Sequence, residues 1–148
     1  MINSILWPTF ALVALVFVVW AVLIVGRYRH MQKTPPSAAD FADRAAATRY
    51  FAPVEAPGAN LANLFELPVL YFALVPLLML TRHADHLQVG LAWAYVALRA
   101  VHSLIHLGPN RVMARFSAYL ASCLVLAAMW IIFAVGLASS AAAYGASL

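Results

Sequence analysis

The sequence predicts an all-α protein, a bundle of four transmembrane helices forming one domain over residues 1–148. Three observations lead there. The chain is 66% hydrophobic and only 9% charged, whereas about a quarter of the residues in a soluble domain are charged. Its mean hydropathy is +0.89. Four apolar runs each approach the roughly 20 residues a helix needs to cross hydrocarbon with every backbone polar group satisfied internally. A water-soluble domain is excluded. A single cysteine also excludes an internal disulfide or a thiolate metal cluster.

The first run, 5–25, carries no charge and stops at Gly26 and Arg27. It lacks the basic start and cleavage site of a secretion signal and reads as a true span. The connection 26–59 is the long one. In it Pro35 and Pro36 precede Ser37, and Asp40 follows three residues later, an N-cap pattern that predicts a short surface helix reaching about Tyr50. This helix is either a solvated linker or a lid. The second run, 61–80, has only Asn63 and Glu66 as strongly polar residues. The third, 89–107, contains Arg99, His102 and His106, and the fourth covers 116–137. The Ala/Ser tail from Ala138 is expected to fray.

Basic residues set the orientation. Arg27, Arg29, Lys33, Arg44 and Arg49 lie in the first connection and Arg111 and Arg115 follow the third run, while the connection between the second and third offers only Arg82. By the positive-inside rule both termini lie on the non-cytoplasmic side of the cell (inner) membrane. The net charge of +4 is mostly this topological bias together with attraction to anionic lipid. It contains no nucleic-acid patch.

Ionisable residues within a span cost at least about 2.5–3.5 kcal/mol each and normally face the bundle interior. Counted at 1.5 Å per residue from the cytoplasmic ends, Glu66 lies about 10 Å and Arg99 about 13 Å deep, so the two are expected to pair across antiparallel helices. Helical spacing groups Asn63 with Glu66, Arg99 with His102 and His106, and Arg111 with Arg115 and Tyr119. With Arg29 at the end of the first span, these stripes describe a net-positive pocket open to the cytoplasm. Such a pocket suits a hydrophilic ligand bearing carboxylates, which Arg binds in bidentate fashion.

Each feature also has a structural reading. Glu66 and Arg99 form a buried pair that fixes register, Arg111 and Arg115 mark topology, and His102 and His106 satisfy each other through backbone and water. Two histidines one turn apart lack the remaining ligands of a zinc site, and no metal is expected. Cys123, amid Leu and Ala, reads as buried filler.

The run Asn63-Leu-Phe-Glu66-Leu-Pro68, then Arg99-Ala-Val-His102-Ser-Leu-Ile-His106-Leu-Gly108, then Arg111-Val-Met-Ala-Arg115, resembles the membrane-associated proteins in eicosanoid and glutathione metabolism. Gly26-Arg27-Tyr28-Arg29 is similar to the family's basic exit from the first helix, and the likeness covers about residues 5–135. It is closest to the branch of the microsomal prostaglandin E synthase and microsomal glutathione transferases. The resemblance implies a homotrimer with glutathione in each cleft between subunits. It further implies that Arg29, Asn63, Glu66, Arg99, His102, Arg115 and Tyr119 line that site, with His106 where many members carry tyrosine. Glu66 would meet the amino end of the tripeptide, the arginines its carboxylates, and Arg115, the implied catalytic residue, its sulfur. The sequence departs from the family at Ala59 and Ala62, where members often carry basic residues, and at Phe116, where the prostaglandin synthase has serine.

Two functions compete. One is a glutathione-dependent transferase or peroxidase acting on a lipophilic electrophile or lipid hydroperoxide that arrives from the bilayer. The other is a non-catalytic scaffold or accessory subunit of a membrane complex. A channel or proton relay is the weakest, because no ionisable residue continues the path through the outer half.

Overall fold

The computed structural model describes residues 2–145. They are mostly helical, with no strand among them: α1 Leu6–Lys33, α2 Arg44–Phe51, α3 Ala56–Leu64, α4 Pro68–Leu80, α5 His86–Leu107 and α6 Val112–Gly145. Three helical stretches are long and apolar enough to cross a membrane: Asn3–Lys33, Ala56–Leu80 and Val112–Ala142. Side chains such as Phe17, Trp20, Leu80, Leu124 and Ile131 point outward from the chain, as lipid-facing residues do.

Four expectations about element bounds change. The first helix does not stop at Gly26 but runs on to Lys33, since no proline or left-handed glycine interrupts it before Thr34. The expected surface helix divides into a single 3-10 turn, Ala38–Phe41, and α2. Asp40 accepts from both the backbone N–H and the hydroxyl of Ser37, while Asp43 caps α2 by accepting from the Ala46 N–H. The second run is broken rather than continuous. Pro68 has no N–H to give the Leu64 carbonyl, so α3 ends there and α4 restarts at Pro68 itself, the position where proline is tolerated. The tail stays helical as far as Gly145. The remainder of that expectation, 146–148, lies outside the described residues.

Helix α5 organises the packing. Its buried positions include Gln88, Ala92, Tyr95, Arg99, His102 and His106, which alternate four- and three-residue steps and therefore form one inward stripe. Helix α6 lies along it, and α1 and α3 close its other side. Towards the α5 N-terminus the stripe meets an apolar core of Tyr71, Leu74, Leu78, Leu126, Met129 and Phe133. There Tyr71 stacks on Tyr95 at 5.1 Å and its hydroxyl meets that of Thr9 at 3.1 Å. Towards the C-terminus the interior becomes polar, with Asn60, Arg99, His102, Ser103 and His106 all buried. The candidate site lies at that polar end.

Candidate functional site

The break between α3 and α4 creates the first feature of the site. A helix end leaves carbonyls without intrahelical partners, and here the Arg99 guanidinium, 1% exposed, donates to the Asn63 carbonyl at 2.9 Å. A cation at a helix C-terminus is favoured by the helix dipole as well as by the hydrogen bond. The same guanidinium lies 5.6 Å from the centre of the Tyr119 ring on α6. Arg99 thus ties α3, α5 and α6 together.

One turn along α5, His102 Nδ1 lies 3.1 Å from the Arg115 carbonyl. A carbonyl only accepts, so this bond requires the ring proton on Nδ1 and leaves a lone pair on Nε2. The His102 ring packs against His106 at 5.7 Å and Tyr119 at 5.9 Å. Arg115 is half-buried, and its Nη1 donates to Asn110 Oδ1 at 2.8 Å. Asn110 closes the α5–α6 turn in the left-handed region, at φ 46°, where asparagine is among the few residues accommodated at low cost.

Asn63, His102, Val112, Arg115, Phe116 and Tyr119 together line a cavity of about 190 Å³. The surrounding interior carries polar atoms without partners. Asn60 Nδ2, Arg99 Nε, His102 Nε2 and His106 Nδ1 are buried with no hydrogen-bond partner among the described residues. With the Arg115 guanidinium on its wall, the cavity can take an anionic polar group. Among the described residues no group of three His, Cys, Asp or Glu stands close enough to hold a metal ion.

The structure therefore gathers Asn63, Arg99, His102, His106, Arg115 and Tyr119, while Glu66 stands near Arg99 without an ion pair and Arg29 lies elsewhere. Glu66 falls in the non-helical break and is exposed. Among the described residues the ion pair is Arg27–Glu55 at 2.8 Å, so the expected Glu66–Arg99 pair is replaced by the bond from Arg99 to the Asn63 carbonyl. Arg29 is exposed on α1 and lines a separate cleft of about 360 Å³ with Ala21, Val22, Val25 and Gly26. Arg111 is also exposed. The sequence reading missed Asn60, fully buried and accepting from the Ser103 hydroxyl at 3.2 Å. Its position three residues before Asn63 on the same helical stripe was the available signal.

No curated protein and no solved structure matches the chain. The MAPEG family model, however, matches residues 5–135, most of the sequence including every side chain of this cavity. The chain belongs to the MAPEG family.

Proposed function

We propose that the protein is a membrane glutathione-dependent transferase or peroxidase acting on lipophilic electrophiles or lipid hydroperoxides, within the branch of the microsomal glutathione transferases and prostaglandin E synthase. The observation that carries this reading is the joint presence of Asn63, His102, Arg115 and Tyr119 on one cavity wall. Helix α5 is the fourth span. Its 22 residues extend about 33 Å, it buries its polar stripe, and it turns Leu87, Trp93, Val101 and Leu104 outward. Both termini then face away from the cytoplasm, and the cavity opens near the cytoplasmic surface of the inner membrane.

A cavity of about 190 Å³ is smaller than the roughly 300–1,000 Å³ usual for small-molecule sites. The missing wall is a second copy of the chain. In a homotrimer the α1 cleft carrying Arg29 would face the neighbour's cavity, and the two together would hold the tripeptide. Glu66, in no ion pair among the described residues, is available to its ammonium group, and Arg99, Arg29 and Asn63 to its carboxylates. Bound glutathione supplies a nucleophilic thiol. The guanidinium of Arg115 holds negative charge at the sulfur, and Tyr119 and His102 fix the position of Arg115 and the ligand. Lowering a thiol pKa by two units requires about 2.7 kcal/mol of preferential stabilisation, within reach of one guanidinium in a partly dry site.

The test is calorimetric titration with millimolar glutathione, paired with conjugation of a generic aryl halide. Arg115→Ala is expected to lower the rate about 10- to 100-fold while changing affinity less than fivefold. A second reading, a non-catalytic scaffold, is favoured by Ala59 and Ala62, which offer no carboxylate donor beside Asn63. Absence of binding heat and activity equal to a detergent blank would select it.

A further inference from the structure

A second cavity, of about 190 Å³, lies on the face of the first connection and is lined by Arg27, Arg44, Ala47, Thr48, Phe51 and Glu55. It shares no residue with the cavity described above. The connection is folded firmly onto α1: Arg27 pairs with Glu55 at 2.8 Å and stacks over the Phe51 ring at 4.7 Å. The Tyr50 hydroxyl donates to the Thr34 carbonyl, and His30 packs against Tyr50 at 4.9 Å. A cavity walled this way is a fixed feature of the fold.

Its charge is unbalanced. All three acids of the connection are engaged elsewhere or already paired, Asp40 with Ser37, Asp43 with the Ala46 N–H and Glu55 with Arg27. Arg44 has no carboxylate partner among the described residues, and Arg27 Nε is buried without an acceptor. Two guanidiniums therefore meet one carboxylate, and one of them has an orphaned donor. The group that completes this arrangement is a monoanion with several acceptor oxygens.

Depth decides where that anion comes from. The charge-free part of α1, residues 6–25, spans about 30 Å at 1.5 Å per residue, one hydrocarbon thickness. Arg27 follows two residues later, about 3 Å beyond, inside the headgroup layer of roughly 5–8 Å. Tyr28, next to Arg27, and Phe41 within the connection are exposed, as aromatic residues are at that level. We propose that Arg27 and Arg44 form a docking site for the phosphodiester of an anionic phospholipid in the adjacent leaflet. This proposal stands whether or not glutathione binds elsewhere.

The experiment is native mass spectrometry of the full chain released from mixed vesicles of equal phosphatidylglycerol and phosphatidylcholine. Wild type is expected to retain phosphatidylglycerol selectively. Arg44→Ala should lower that retention at least about 10-fold, the loss of one hydrogen bond to a charged group, and Arg49→Ala, exposed outside the cavity, no more than about fivefold, the field of one basic residue at a membrane surface. If Arg44→Ala fails to fold by circular dichroism, Arg44→Gln provides the same comparison. Equal retention of both lipids by wild type, or equal losses in the Arg44 and Arg49 variants, would overturn the site in favour of a diffuse field. Displacement by millimolar glycerol phosphate would overturn the lipid assignment in favour of a soluble anion.

Discussion

The partner of Arg99 is open to direct measurement. A buried guanidinium with a ring 5.6 Å away and no carboxylate within ion-pair distance should couple to Tyr119 and not to Glu66. Single substitutions are ambiguous here, because removing Arg99 strands the Asn63 carbonyl at about 1–3 kcal/mol while relieving the desolvation of a charge. Double-mutant cycles cancel both effects. For Arg99→Met with Tyr119→Leu the expected coupling is about 1–2 kcal/mol, the desolvated range of a cation–π contact. For Arg99→Met with Glu66→Gln it is below about 0.5 kcal/mol, as for an exposed charge. In thermal unfolding, 1 kcal/mol corresponds to about 3 °C for a chain of 148 residues. The two cycles are thus distinguishable in detergent. A larger coupling to Glu66 than to Tyr119 would refute the assignment of Arg99 to the α3 terminus.

Other expectations concern glycine and the first connection. A Cβ on Gly136 would lie 3.0 Å from the His83 ring, which the Thr81 carbonyl and Phe133 hold in place. Gly136→Val should therefore cost about 1–3 kcal/mol by overpacking. Gly90, with nothing within 4 Å, is helical, and Gly90→Ala should raise the melting temperature by the equivalent of about 0.5–1 kcal/mol. The hydrogen bonds from Ser37 hold the Asp40 carboxyl below its ordinary pKa. A depressed folded-state pKa means that its contribution is present above the unfolded value, about 3.9, and is lost as pH falls through the folded one. Amide exchange in 37–43 should rise over that acid range in wild type and already be raised near neutrality in Asp40→Asn. An exchange profile identical in the two proteins would contradict this.

Legibility in the sequence differed between residues that lie on regular helix and residues that do not. Periodicity located Arg99, His102 and His106 on one stripe of α5 because that helix is unbroken from His86 to Leu107. It located Arg115 and Tyr119 equally well on α6. Glu66 failed for a physical reason: the depth count assumed continuous helix, but Pro68 removes the N–H that would carry α3 onward. Depth along the membrane normal survives such a break, whereas direction around the axis does not. Arg29 is a different case. Its level at the end of α1 follows from sequence, but the face it occupies depends on how α1 packs against α3 and α5, and that packing turns Arg29 towards a separate cleft. Asn60 carries no charge and lies just outside the apolar run 61–80, although a neutral amide buried beside Ser103 obeys the same rule of satisfied polar groups.

The central claim is that Asn63, His102, Arg115 and Tyr119 form one wall of a glutathione site completed by a neighbouring subunit. A density map of the detergent-purified protein with millimolar glutathione tests it most directly. The claim predicts tripeptide density against Arg115 and Asn63 of one protomer with Arg29 of its neighbour closing the far side; density elsewhere, or an empty cavity in a well-ordered assembly, would contradict it.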